Sequence, residues 1–241
     1  MKKGILFIVI TSILIACSSK VNSQSDLKLI KSIKLEIPEP SGITAYKDHL
    51  YIVSDKNGSI YKVNLFGEVV QKIKTKYNDV EGVTFDSVSN NLLIVNESKR
   101  TLITLDLKGK LIKKTKILGK QKESNSGLEG VCFDVDEKKL YIVNEKSPKE
   151  LLILNLNGEI LNAFKVKFSK DISGVCLDKK TNSLWLVSDE SKTIYNSTKK
   201  GELIKSYKIP VEKAEGIVIL NNKFYIVSDN LNSLFIFEKP E

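Results

Sequence analysis

The sequence contains little of what most catalytic and metal-binding proteins use. Its 241 residues include one histidine, one tryptophan and three cysteines. A single histidine excludes a multi-histidine metal site within the chain and leaves little material for histidine-based proton transfer. The histidine, His49, falls in the turn Lys47-Asp48-His49, where we expect it to be solvated.

Arginine is almost absent, because Arg100 is the only one and the net charge of +9 comes almost wholly from lysine. Proteins that bind nucleic acids favour arginine and aromatic residues for base contacts and stacking. We therefore expect no nucleic-acid partner and interpret the lysines as a solvated surface. No local lysine cluster indicates a surface for anionic lipid.

Cysteine appears in two contexts. Cys132 and Cys176 lie at equivalent positions within apolar strands, and we expect them to be buried small hydrophobic residues and not a disulfide. Cys17 directly follows a small residue near the N-terminus, so we interpret it separately, as part of an export signal.

The N-terminus has the pattern of an export signal. Lys2 and Lys3 precede an apolar run of about a dozen residues, shorter than the ~20 that a spanning helix needs. The segment Leu14-Ile15-Ala16-Cys17 resembles the lipobox of bacterial lipoproteins, which implies cleavage before Cys17 and a diacylglycerol on its sulfur. An ordinary secreted protein is the alternative. We predict a signal peptide (1–16), a lipid-anchored tether (17–26) and one domain (27–241), held at the bacterial cell envelope on the outer membrane or cell surface.

A short pattern recurs five times: an aromatic residue or leucine, two aliphatic residues, a small polar residue and an acid. The copies are Tyr51-Ile52-Val53-Ser54-Asp55, Leu93-Ile94-Val95-Asn96-Glu97, Tyr141-Ile142-Val143-Asn144-Glu145, Trp185-Leu186-Val187-Ser188-Asp189 and Tyr225-Ile226-Val227-Ser228-Asp229. Each copy follows a second element centred on a glycine. The glycines are Gly42, Gly82, Gly130, Gly174 and Gly216, a period of about 40–48 residues that is typical of repeat folds.

Each repeat contains four apolar segments separated by turn residues, which predicts a four-stranded antiparallel propeller blade. The last repeat stops after its third strand, while residues 27–35 match the fourth-strand pattern. We therefore predict an all-β, five-bladed β-propeller whose ring is closed when the N-terminal strand completes the last blade. A sixth degenerate blade in the long second interval and an open solenoid are the less favoured alternatives.

Every blade is expected to bring carboxylates to one mouth of the central channel, because the glycine element opens the inner strand and the acidic pattern closes its hairpin partner. The predicted metal ligands are Glu81, Glu97, Glu129, Glu145, Asp189, Glu215 and Asp229. Asp55, Glu39, Asp79 and Asp171 are expected at the same rim, and Asn96 and Asn144 could add neutral oxygens. Like charges at such density repel, whereas calcium accepts six to eight oxygen ligands. The alternative is that these acids cap strand ends or pair with lysines.

The ordered set of motifs resembles the SdiA-regulated (YjiK-like) family and spans nearly the whole mature chain. The matching segments are Ser41-Gly42-Ile43-Thr44, Asp79-Val80-Glu81-Gly82, Gly127-Leu128-Glu129-Gly130, Asn144-Glu145-Lys146-Ser147-Pro148, Asp171-Ile172-Ser173-Gly174, Val187-Ser188-Asp189-Glu190-Ser191 and Ala214-Glu215-Gly216. The resemblance implies a five-bladed propeller distantly related to NHL repeats, with a calcium site and no established activity. Asp229-Asn230-Leu231 departs from the family pattern of Glu-Pro-Asn.

The leading functional expectation is a monomeric, non-catalytic binding module that presents a calcium-organised mouth to a protein, glycan or small ligand. The alternative is a calcium-dependent hydrolase of the lactonase or esterase type, with Asp189 or Glu129 as general base. A metal-free scaffold is a third reading.

Overall fold

The computed structural model describes residues 25–122 and 126–240, and every regular element in those ranges is a β-strand. No helix long and apolar enough to cross a membrane occurs among them. The predicted signal peptide and Cys17 lie outside the described residues, so the predicted division at the N-terminus stays a prediction.

The strands form five sheets arranged as the blades of a propeller. Two short strands come first, β1 (Ser25–Asp26) and β2 (Leu29–Lys34). The first blade contains β3 (Pro40–Tyr46), β4 (His49–Ser54), β5 (Ile60–Asn64) and β6 (Val69–Ile73). The second contains β7 (Val80–Asp86), β8 (Asn91–Asn96), β9 (Thr101–Leu105) and β10 (Leu111–Lys116). The third contains β11 (Leu128–Asp134), β12 (Lys139–Asn144), β13 (Glu150–Asn155) and β14 (Ile160–Lys165). The fourth contains β15 (Gly174–Asp178), β16 (Ser183–Ser188), β17 (Thr193–Ser197) and β18 (Leu203–Lys208). The fifth contains β19 (Ala214–Leu220), β20 (Lys223–Ser228) and β21 (Ser233–Glu238).

The ring closes through the N-terminal strand, as the sequence predicts. β2 pairs antiparallel with β21 and becomes the fourth strand of the fifth blade. Lys28 Nζ lies 2.8 Å from Glu238 Oε1 beside this pairing. The five-bladed, all-β prediction is therefore confirmed.

One strand was not anticipated. β1 pairs in parallel with β18 and adds a fifth strand to the outer edge of the fourth blade. Two residues are too few to carry the alternation by which a strand is recognised in a sequence.

The core lies between the blades, which explains why the second strand of each repeat is apolar without alternation. Ile52 packs into the cluster shared by the fifth and first blades, whereas the adjacent Val53 packs between the first and second. Successive side chains of a strand point to opposite faces, and here both faces are covered by a neighbouring blade. Buried, unbridged Cys132 and Cys176 belong to the same layers, which confirms their interpretation as small hydrophobic residues.

The five repeated glycines bring the inner strands into contact around the axis. A Cβ added to Gly130 would lie 2.7 Å from Gly174 Cα, and one added to Gly216 would lie 2.6 Å from the Ser41 carbonyl oxygen. The space at this glycine ring (Gly42, Gly82, Gly130, Gly174 and Gly216) is only about 10 Å³, roughly the least that one water needs. The ring therefore separates two openings. We call the opening where the inner strands begin the acidic mouth, and the opening where they end the far mouth.

Candidate metal site at the acidic mouth

The residue before the ring glycine lies at a β-bulge, which directs its side chain toward the acidic mouth. In the second blade the register shifts between Val80 and Gly82, so Glu81 stands opposite no single residue of β8. Equivalent shifts surround Glu129 and Glu215. A bulge leaves its extra residue out of the regular ladder and re-aims its side chain. Val80 pairs with Asn96 and Gly82 pairs with Val95, so the bulge leaves Glu81 without a direct partner on β8.

The acid that closes the hairpin is fixed by a backbone hydrogen bond in four of the five blades. The N–H of Glu97 donates to the carbonyl oxygen of Asp79 at 3.1 Å, and that of Glu145 donates to Gly127 at 2.9 Å. Asp55 and Asp229 make the same bond to Glu39 and Lys213 in their blades. The repeat therefore places two kinds of acid at one end of the channel: those that follow the second strand of a blade and those at the β-bulges.

Three glutamates converge between the second and third blades. Glu97, Glu129 and Glu145 each offer a carboxylate oxygen, and these three oxygens lie within 4.8 Å of one another. The N–H of Gly127 donates to Glu97 Oε1 at 2.9 Å and orients that carboxylate. We call this set the glutamate triad.

Glu129 has the least favourable surroundings in the triad. It is only 8% exposed, and it has no hydrogen-bond or ion-pair partner among the described residues. Burial raises the pKa of its carboxyl well above the usual value, and the neighbouring Glu81 and Glu97 raise it further. A buried carboxyl without a partner is costly when ionised, so this group suits a bound cation or a retained proton.

The first and second blades contribute another acidic group. Asp55, Asp79 and Glu81 also offer oxygens within 4.8 Å of one another. Asp79 is already engaged, because its Oδ2 accepts the Ser98 N–H at 2.7 Å. Burial raises the pKa of both Asp55 and Glu81, and the neighbouring Asp55 carboxylate raises the pKa of Glu81 further.

The fourth and fifth blades carry their own cation. Lys213 Nζ lies 3.2 Å from Asp189 Oδ2, and the Lys213 N–H donates to Asp189 Oδ1 at 2.7 Å. The ammonium group also lowers the pKa values of Glu215 and Asp229, although burial still leaves both raised, that of Glu215 to about 7. Of the predicted ligands, Asp189 therefore pairs directly with a lysine, whose charge also acts on Glu215 and Asp229.

Capping accounts for some of the other polar residues at this mouth. Asp171 accepts hydrogen bonds from the side chain of Ser188 and from the N–H of Glu190. Lys146 bridges Glu145 and Glu190 at 3.0 and 2.8 Å. Buried Asp171 is thus a strand-end cap, as one of the two sequence interpretations proposed.

The two asparagines suggested as neutral ligands are occupied elsewhere. Asn96 donates to the Asn78 carbonyl and accepts the Lys99 N–H. Asn144 donates to the Pro148 carbonyl at 2.7 Å, and its Oδ1 accepts a hydrogen bond from Arg100. Both amides hold loops in place and each Oδ1 accepts one hydrogen bond, so their role as ligands stays a prediction.

Lys213 is the residue that sequence reasoning missed. It occupies the repeat position of Glu39, Asp79 and Asp171, three residues before the ring glycine. The third repeat has Gly127 at this position, so aligning all five repeats would have shown three acids, one glycine and one lysine.

Comparisons with known proteins agree with the propeller fold. A family model described as SdiA-regulated matches residues 18–238. Among solved structures, Myxococcus xanthus glutaminyl cyclase is similar with a TM-score of 0.70 and 14% identity, covering 89% of this chain and 98% of that chain. Virginiamycin B lyase from Staphylococcus aureus has a TM-score of 0.53 and 16% identity, covering 83% and 66%. A Bacteroides caccae protein of unknown function has a TM-score of 0.56 and 13% identity, covering 78% and 69%. At these identities the likeness shows the fold alone.

Proposed function

This chain belongs to the SdiA-regulated family, and on that premise we propose that it is an envelope-anchored lipoprotein whose propeller binds calcium at the acidic mouth. The bound ion organises that face for a protein, a glycan or a small ligand. The observation that carries the proposal is the glutamate triad, in which buried Glu129 has no partner among the described residues.

The donors of the triad fit calcium. All three are carboxylate oxygens, which are the hard ligands that calcium prefers, and calcium tolerates irregular geometry. Glu97, Glu129 and Glu145 would hold the ion, and Glu81, whose charge raises the pKa of Glu129, is a further candidate ligand. A bound dication would neutralise the repulsion that otherwise raises the pKa values of these groups.

The Lys213 side of the mouth is the less favourable place for an ion. Asp189 is already paired with an ammonium group, so a second cation there would have to displace Lys213. Asp189, Glu215 and Asp229 are then secondary ligands or part of the rim that a partner contacts. We also propose that the protein is a monomer and binds no nucleic acid.

Thermal unfolding during a calcium titration tests the proposal. A ligand that binds only the native state stabilises by RT ln(1 + [L]/Kd), about 2.7 kcal/mol at a hundredfold excess over Kd. We expect calcium to raise the midpoint of the wild type and of Glu212→Gln, which alters an exposed acid outside the triad. Glu129→Gln should lose the response. No midpoint shift of the wild type in millimolar calcium would contradict the proposal.

Membrane anchoring needs a separate test, because it depends on Cys17. We expect the wild type to incorporate labelled fatty acid and sediment with membranes, and Cys17→Ser to do neither. Release of the wild type as an unlabelled soluble protein would favour ordinary secretion.

A second candidate function is hydrolysis, favoured by the raised pKa values of acids at one mouth. The carboxyls of Glu97 and Glu215 have pKa values of about 7, raised mainly by burial, which suits proton transfer near neutral pH. Calcium would supply Lewis-acid character to such a site. Turnover of a lactone or ester panel that is lost in Glu129→Gln would establish this function in place of simple binding.

A further inference from the structure

The far mouth opens into a cavity of about 360 Å³ on the side of the glycine ring opposite the acids. Small-molecule sites usually fall between about 300 and 1,000 Å³. The cavity is lined by the C-terminal halves of the inner strands, including Thr44, Thr84, Cys132 and Cys176. Because the glycine ring closes its inner end, a ligand can enter only from the far mouth.

Apolar side chains form much of the wall. Ala45, Phe133, Leu177 and Ile219 hold the same repeat position, three residues after the ring glycine, and each is partly exposed. The equivalent residue of the second blade, Phe85, instead stacks on Tyr46 at 3.7 Å between ring centroids. The cavity therefore presents aliphatic and aromatic surface toward water, which favours an apolar occupant.

The rim of the cavity is positive. Asp178 is buried and neutralised by Lys239 at 2.9 Å, and Asp136 pairs with Lys179 at 3.4 Å. Lys180 is exposed on the rim and makes no ion pair among the described residues. The charge available to a ligand at this opening is therefore a cation beside an apolar wall.

We propose that the far mouth is a second binding site, which takes an amphipathic monoanion with one medium-length aliphatic chain and a carboxylate head. The chain lies against Ala45, Phe133, Leu177 and Ile219, and the carboxylate faces Lys180. This polarity is opposite to that of the acidic mouth, so the two ends of the channel select ligands of opposite charge.

Calorimetric titration with decanoate tests the site. We expect saturable one-to-one binding of decanoate, much weaker binding of decanol, which lacks the charge, and none of acetate, which lacks the chain. Lys180→Glu should weaken binding roughly five- to tenfold, since it replaces an attraction with a repulsion at an exposed position. Lys110→Glu makes the same change of charge in the turn before β10, the outer strand of the second blade, and should leave the affinity unchanged.

A second variant tests the wall without changing charge. Ala45→Leu enlarges a side chain that lines the cavity and should weaken decanoate binding while preserving any thermal response to calcium. The proposal is overturned by absence of saturable binding, by equal binding of decanol, or by equal losses in Lys180→Glu and Lys110→Glu. None of these results bears on calcium, because the glycine ring separates the two mouths.

Discussion

Lys213 Nζ lies 3.2 Å from Asp189 Oδ2 at the acidic mouth. This contact divides an apparently continuous ring of acids into one part with an internal ammonium group and another that includes the unpaired Glu129. In the second part Lys146 pairs with Glu145 at 3.0 Å, but Glu97 and Glu129 have no ion pair among the described residues, which indicates where an external cation is needed.

Removing that lysine should make the protein more dependent on calcium. We expect Lys213→Gln to lower the unfolding midpoint without divalent cation, because Asp189, Glu215 and Asp229 lose their counter-charge, and calcium should restore much of the loss. Lys192→Gln is a matched control, since Lys192 is similarly exposed and pairs with Glu212 at 3.0 Å outside the acidic groups. Equal effects of the two substitutions, measured by thermal unfolding with and without calcium, would contradict the internal-cation role.

Neutralising Glu129 should stabilise the calcium-free protein. At pH 8 the wild type must keep this buried carboxyl protonated or hold an unpaired charge, whereas an amide has neither cost. We expect Glu129→Gln to increase the free energy of unfolding by about 1–2 kcal/mol in a chelator. Urea denaturation measures the change, and Glu212→Gln should show almost none. A destabilised Glu129→Gln would mean that the carboxylate has a partner in solution.

The stability of the calcium-free protein should fall as the pH rises. The pKa values of Glu97 and Glu215 are raised from 4.5 to about 7, so the folded state binds protons more tightly than the unfolded chain. Their stabilising contribution is full below about pH 4.5 and is lost as the pH rises through about 7. Urea midpoints between pH 5 and pH 8 should therefore decrease, and saturating calcium should reduce the slope. Midpoints that increase over this range in a chelator would contradict the raised pKa values.

Substitutions of two glycines should separate crowding at the axis from backbone strain. Gly130→Ala places a methyl group 2.7 Å from Gly174 Cα and should cost more than about 3 kcal/mol or prevent folding. At Gly201, whose φ is +73°, the nearest atom to an added Cβ is 3.6 Å away, so Gly201→Ala should cost only about 1 kcal/mol. Denaturant unfolding compares the two, and similar losses would mean that the inner strands can move apart.

The repeated residues made the fold predictable. Five copies of a strand-ending acid, each at a regular distance from a glycine, specify blades, a common axis and a shared end for Glu97, Glu129 and Glu145. The partner of β2 followed from the incomplete last repeat. These features depend on local pattern and chain order, which a sequence states directly.

The details of the site depend on contacts that a sequence does not state. The bulge at Glu81 follows a left-handed residue, Asp79, whose φ is +58°, and a register shift of one residue leaves no mark in apolar periodicity. The engagement of Asn144 with Arg100 joins two different blades. The Lys213 pairing depends on one basic residue at a position that is acidic in three of the five repeats and glycine (Gly127) in another, and one such residue carries little weight beside a repeated pattern.

The pairing of β2 with β21 joins residues about two hundred positions apart, as in the Lys28–Glu238 contact. A chain emerging from a ribosome or a translocation pore can therefore form its early blades long before their ring can shut. Until Glu238 is available, β2 has no place to dock, and the flank of the first blade that faces the fifth is bare. The propeller ring can close only when the final strand is available. Chaperones and proteases therefore have their best access to the chain before that strand is synthesised or exported.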